Sequence, residues 1–300
     1  MTETERLIYT NERGESIEFS AYSAYFVNVS NDVEGLSDVQ NTLYSSSSAG
    51  QHGETITGQK IDARQIDIKG CINRRDKDSV LELRRAALRI LNPELSGTLT
   101  YIYKNFTRVI DCKVDDTPVF SRKKIFNDFT IQLSCPSPFW REELDEKTDI
   151  ASWIGSLEFD LEIPEDEASG QNAGMEFDYR EPSVIVDVYN SGDVSTGMRI
   201  EFRATGTLLN PVLLNMETRE YIKINSELKA GDIVTINTEY GSKSAVLSRD
   251  GNTEDYFRYV DVDSTFMQLK IGDNIFRYDA ESNLDALEVS LYHSNKCLGV

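Results

Sequence analysis

Residues 129–140 read FTIQLSCPSPFW, and the meaning of this stretch decides how the rest of the chain is divided. Phe129, Ile131, Leu133 and Cys135 fall on one face of a period-two pattern, which is the signature of a half-buried strand. Pro136 and Pro138 follow. Each fixes φ and removes a backbone donor, so the strand ends there in a stiff, extended connector. Phe139 and Trp140 come next, and burial of each against a flanking core is worth on the order of 1.5–3 kcal/mol. The expectation is an inter-domain hinge at Pro136, Pro138, Phe139 and Trp140, with one domain over 1–138 and a second over 139–300.

Upstream of the hinge the pattern is mostly β. RLIYTNERGESIEF (6–19) predicts a hairpin around Asn11–Gly14, YFVNVS (25–30) a strand, and RQIDIKGCI (64–72) a strand with Ile66, Ile68 and Ile72 on one face. Between them, 37–59 is a long Ser/Gly-rich polar arm, and a loop of that length inside a compact domain is usually functional or disordered. One helix is expected. Val80, Leu83, Ala87, Ile90 and Leu91 form a single apolar stripe, with Ser79/Glu82, Asp76 or Asp78 available to cap it and Asn92-Pro93 to stop it. Residues 99–114 predict a second hairpin.

Downstream, no helical period stands out. Short alternating runs recur instead: SLEFDLEI, SVIVDVYN, GMRIEFRA, EYIKIN, DIVTINT, TFMQLKI and ALEVSLY, separated by Gly/Asp/Asn turns. That pattern predicts a β-sandwich, so the fold class is mainly β in both halves.

Charge divides at the same place. Residues 1–140 hold 17 basic and 19 acidic residues, a net of -2, leaving -18 of the total -20 for 141–300. An acidic surface of that size repels phosphate backbones, which argues against nucleic acid as a partner. No apolar run of about 18 residues exists, so no membrane insertion is expected, and residues 1–10 have neither the basic nor the apolar segment of a secretory signal. Cys71, Cys112, Cys135 and Cys297 form no C-x-x-C pair and read as free buried thiols.

Catalytic patterns are missing. The two histidines, His52 in the arm and His293 on an expected exposed strand end, make no metal pair, and no nucleophile elbow or phosphate loop is present. No enzyme activity, cofactor or metal is expected. Acidic turns at 261–265 and 164–172 offer oxygen ligands without the calcium-loop ladder. Trp153, Tyr240, Tyr256, Tyr259 and Tyr292 are the aromatics that could stack on a sugar.

FTIQLSCPSPFW at the end of a β-rich half resembles the linker of siphophage distal tail proteins. RRAALRILNPELSGTLTYIY (84–103) is similar to the helix, NP, Gly and aromatic strand of that family. LKAGDIVTINTEYGSKSAVL (228–247) resembles a hairpin of its C-terminal domain, and MQLKIGDNIFRYDA (267–280) resembles a strand pair there. The resemblance implies an N-terminal ring-forming belt, a β-sandwich with one helix and a β arm, and a C-terminal galectin-like or carbohydrate-module-like β-sandwich.

It also implies a role: a homo-oligomer, a hexameric ring, at the virion tail tip of a phage or prophage, made in the host bacterial cytoplasm. Its partners would be the tail-tube protein, the tail-associated lysin or hub protein, and receptor-binding or baseplate proteins. The alternative is an adhesion module that recognises host cell-wall glycans through the C-terminal sandwich. No large insertion interrupts that sandwich, which departs from family members with an added carbohydrate-binding domain.

Overall fold

The computed structural model describes residues 5–122, 127–149, 153–155, 178–180 and 185–300. Two compact units are present, one formed by Met1–Leu144 with Asn295–Val300 and the other by Asp145–Ser294. The division falls at Leu144, and residues 295–300, expected in the second domain, lie with the first unit. The reason is pairing: Lys296–Cys297 adds antiparallel to the two-residue strand Trp140–Arg141.

The first unit is built from β1 (Arg6–Asn11), β2 (Ser16–Ser20), β3 (Tyr25–Phe26), α1 (Val29–Asp32), β4 (Val33–Glu34), β5 (Asn41–Ser46), β6 (Thr55–Ile61), β7 (Arg64–Ile72), α2 (Lys77–Ile90), β8 (Ser96–Tyr103), β9 (Phe106–Val114), β10 (Val119–Arg122), β11 (Asn127–Cys135) and β12 (Trp140–Arg141). Its main ladder runs β11-β7-β3-β2-β1-β8-β9 and then closes, because β9 also pairs β11 through Leu133↔Val114 and Ser134↔Lys113. The β-rich first half with one long helix is as expected, and its sheet is closed into a barrel. Closure turns the alternating apolar faces of these strands inward around one core.

The local chemistry explains the elements. Asn11 shapes the β1–β2 turn, its Oδ1 accepting from the Arg13 and Glu15 amides at 3.0 Å, while its Nδ2 donates to the Ile90 carbonyl at 3.2 Å. Asp76 caps α2, accepting from the Ser79 amide and hydroxyl, both at 2.9 Å. Val80, Ala87, Ile90 and Leu91 are buried against the barrel, and the Tyr25 hydroxyl donates to the Leu83 carbonyl at 2.7 Å. Gly70 is demanded by close packing, since a Cβ there would lie 2.5 Å from the Phe26 oxygen.

Two expectations in this unit need correction. YFVNVS is a strand only at Tyr25–Phe26, and Val29–Asp32 turns into a short helix with Val29 buried. The arm is the β arm that the family resemblance implied rather than the loop that its composition suggested: β5 and β6 form an antiparallel ribbon with a bulge at Tyr44/Ser45.

The second unit pairs two sheets around one core. The larger runs Glu146–Asp149, Leu287–His293, Met198–Ala204, Ile233–Asn237, Ser244–Arg249, Asn252–Asp255, and the smaller Ile185–Asp187, Ile275–Asp279, Val212–Asn215, Tyr221–Lys223. Ile200, Phe202, Val234 and Leu291 of the larger sheet share a core with Leu213, Ile222 and Phe276 of the smaller, the packing of a β-sandwich. Its described helical residues are two 3₁₀ turns, Phe257–Tyr259 and Leu284–Ala286. SLEFDLEI and the 164–172 turn lie outside the described residues.

TFMQLKI is no ladder strand. It touches its neighbour at the single bridge Thr196↔Leu269, because the buried Asn274 side chain accepts from the Lys270 amide and donates to the Lys270 and Gly272 carbonyls, each at 2.9 Å. A side chain has replaced a strand partner there.

Candidate functional site: an assembly surface on the first unit

All four expected hinge residues lie inside the first unit. Trp140 is fully buried in the barrel core, and its Nε1 donates to the Leu36 carbonyl at 2.9 Å. Pro138 is buried, Phe139 is half-buried and Pro136 is exposed.

Around them is a residue that sequence reasoning missed. Arg64 is only 3% exposed, and its guanidinium donates to four backbone carbonyls: Pro138 at 2.7 Å, Gly35 at 2.7 Å, Leu36 at 2.8 Å, and Leu298. Burial lowers its pKa from the ordinary arginine value. Those oxygens take up four of the fork's five donors, which makes an otherwise costly buried charge tolerable. The signal was in the sequence, since Arg64 shares the parity of Ile66 and Ile68 and so belongs to the inward face of β7.

Arg64 thus ties the segment after β11, the returning segment at Leu298, and the root of the arm. Gly35 at that root has φ +87°, and a Cβ would fall 2.0 Å from the Gln65 oxygen. The Ser37 hydroxyl donates to the Val300 carbonyl at 2.9 Å. From this anchored root the ribbon extends with no buried residue between Asn41 and Lys60. Leu43, Tyr44 and Ile56 are 53%, 53% and 62% exposed.

A second exposed apolar surface lies on α2. Leu81 and Leu88 are exposed while Val80, Ala87 and Ile90 are buried, so the helix carries apolar groups on its outer side as well as its inner one. Arg84 stacks over Phe120 at 4.7 Å, and Arg89 pairs with Glu15 at 2.9 Å.

The other sequence candidates are not gathered into a site. Tyr256 is buried with its ring tilted against that of Tyr259, centroids 4.2 Å apart; Tyr292 lies beneath Arg199 at 4.0 Å; Tyr240 is exposed beside Lys243; the Trp153 side chain lies outside the described residues. His293 is 3% exposed rather than a surface residue, because the strand Leu287–His293 alternates and ends on an inward position. Its Nε2 lies 3.5 Å from Glu146. His52 is exposed in the arm.

Cys112 and Cys135 are buried, but Cys71 and Cys297 are only partly so. The hydrogen bond with Cys135, together with burial, raises the Cys112 thiol pKa, so it stays protonated and inert. Among the described residues no group of three or more His, Cys, Asp or Glu is placed to hold a metal, and no described helix is long and apolar enough to cross a membrane.

Both units have matches among known proteins. Residues 12–135 match the phage tail protein RIFT-related domain, and residues 191–295 match the siphovirus-type tail component, C-terminal domain. No curated protein matches in sequence. The SPP1 Dit protein, described as a paradigm of the hub adsorption apparatus in Gram-positive infecting phages, is similar over 97% of this chain and 98% of its own, with a TM-score of 0.63 at 12% identity. A chain of the phage P2 baseplate in its activated conformation with Ca is similar over the full length of both, with a TM-score of 0.52 at 14% identity. At such identities the likeness of structure is one of fold, and the two matched domains, in their order, carry the assignment. The chain belongs to the siphophage distal tail protein family, structural hub components of the virion tail tip.

Proposed function

We propose that the protein works as a closed ring of six copies, joined through the barrel unit. The ring would connect the last ring of the tail tube to the tail-associated lysin or hub protein. The unit 145–294 would serve as the attachment point for baseplate or receptor-binding proteins, and Pro136, Pro138, Phe139 and Trp140 would brace the chain just before it leaves the barrel.

The observation that carries this reading is the β5–β6 ribbon. A two-stranded ribbon is at best marginally stable alone, and this one buries no residue between Asn41 and Lys60. Its root, by contrast, is locked by Arg64 and Gly35. A rigidly rooted ribbon with bare apolar side chains is suited to a neighbour. Charge supports the same arrangement, because copies can approach through a half with a net of -2 more readily than through one with -18.

The chain does no catalysis in this reading, and turnover of peptidoglycan or cell-wall polysaccharide abolished by a single carboxylate substitution would overturn it. The ring itself is tested by solution mass together with negative-stain images of the full chain. Rings with a central hole that disappear on deletion of residues 40–56 are expected. Rings that survive the deletion unchanged would remove the arm from the account.

A further inference from the structure

We infer that the outer face of α2 is the receiving surface for the arm of the next copy in the ring, with Leu43 and Ile56 of one copy seated on Leu81 and Leu88 of its neighbour and Glu54 set against Arg85. This rests on the ring reading and adds to it the two surfaces that meet.

The geometry of each surface is complementary in kind. On the ribbon, Ile56 pairs with Ser45 across the ladder, and Ser45 shares its face with Leu43, so the two apolar side chains lie on one side. Tyr44 falls on the other side, over Gly58. On α2, Leu81, Arg85 and Leu88 are spaced by four and three residues, which brings them to one stripe of the helix. Leu81 and Leu88 are 48% and 41% exposed, so their own arm does not cover them.

Charge assigns the occupant. Residues 74–89 contain six basic residues against three acidic ones, and no ion pair among the described residues engages Lys77 or Arg85. The arm has the opposite sign. Residues 37–59 hold Asp38 and Glu54 and no lysine or arginine, and Lys60 just past them is paired with Asp62 at 3.5 Å, which leaves Glu54 as the acid beside the exposed apolar face. A basic, apolar-striped helix and an acidic, apolar-faced ribbon on the same chain fit each other, whereas either surface meeting a second copy of itself would bring like charges together.

Position makes the contact head-to-tail. The arm root is held at Arg64, where β7 begins, and α2 follows Ile72, where β7 ends, about 26 Å away at strand rise. Two different patches at the two ends of one strand give a heterologous contact, the kind that generates rings when its rotation closes.

The test uses the full chain and reads the concentration at which rings form, by mass photometry. Leu81→Asp with Leu88→Asp, and separately Arg85→Glu, should raise that concentration about tenfold or more, as loss of an interface anchor does. Circular dichroism melts should be unchanged, because all three side chains point outward. Glu54→Lys should weaken assembly similarly, and Arg85→Glu combined with Glu54→Lys should restore it. Rings that form normally in the α2 variants overturn this inference and leave the ring reading standing. A wild-type chain that stays monomeric at every concentration overturns both. Weakening by each single charge change without rescue in the double variant also overturns the pairing.

Discussion

β6 and β7 are consecutive strands separated only by Asp62 and Ala63, yet they live in different worlds. β7 alternates buried and exposed residues and pairs with β3, β4 and β11; β6 pairs with β5 alone and buries nothing fully. Both obey the same strand chemistry. The difference is what lies on their faces: the barrel core on one side of β7, and no other part of the unit on either side of β6. Burial makes β7 stability, while exposure makes β6 surface, and a ribbon exposed on both faces adds little to the stability of its own unit.

The sharpest way to break that contrast is at the place where the two meet. Trp140→Ala removes a fully buried indole and its 2.9 Å hydrogen bond to Leu36 at the arm root, and should cost the barrel about 3–5 kcal/mol. Arg64→Met should cost somewhat less, about 2–4 kcal/mol, because the carbonyls of Gly35, Leu36 and Pro138 lose a donor in a buried site. Hydrogen exchange of β7 and β11 peptides measures both. A loss below about 1 kcal/mol for Trp140→Ala would mean that the barrel does not depend on this junction.

An intermediate effect is expected from the second unit, where a buried charge can be set against the arm's exposed Lys60–Asp62 pair. Asp232 is 1% exposed and accepts from Arg249 at 2.7 and 2.5 Å; these hydrogen bonds hold its carboxyl below the usual carboxylate range. Because the folded value is lowered, its stabilisation is complete above the unfolded value of about 3.9 and disappears as pH falls through the folded value. Asp232→Asn should therefore lower the Tm of the sandwich at pH 7, by about 1–3 kcal/mol of stability, and the gap from wild type should narrow below about pH 4. A gap that widens in acid would reverse the sign of this argument. Asp62→Asn in the arm should leave Tm unchanged at both pH values.

The smallest effect belongs to the ribbon itself. Leu43→Ser with Ile56→Ser should change monomer stability by less than about 0.5 kcal/mol, as exposed positions do, while reducing ring formation. A large loss of stability in the isolated chain would show that the arm is part of its own fold and erase the contrast with β7.

Much of this was legible residue by residue. The period of Leu7, Tyr9, Ile17 and Phe19 predicts β1 and β2, that of Ile66, Ile68 and Ile72 predicts β7, and the Val80–Ile90 stripe predicts α2, because each pattern is local and each element buries one face. Local pattern misled where a side chain outside the segment decided the outcome. TFMQLKI alternates like a strand, but Asn274 takes the backbone of Lys270 that a ladder would need. His293 reads as a strand-end surface residue, but the parity of its strand turns it inward. The family resemblance was legible in the quoted stretches, and so was the hub role that follows from it, because such motifs need no geometry to be compared.

By itself, then, the sequence determined the mainly β class, the long helix α2, the change of character near residue 140 and the uneven charge, all properties set by neighbours a few residues apart. The tertiary structure alone decided that β9 meets β11 and shuts the first unit into a barrel, and that Lys296–Cys297 returns to pair with Trp140–Arg141. It alone made Arg64 the clasp of segments 28, 74 and 234 residues distant, and left the arm uncovered. Those outcomes depend on which inward faces share one core and which strand edges find partners far along the chain, and periodicity carries no information about distance between elements.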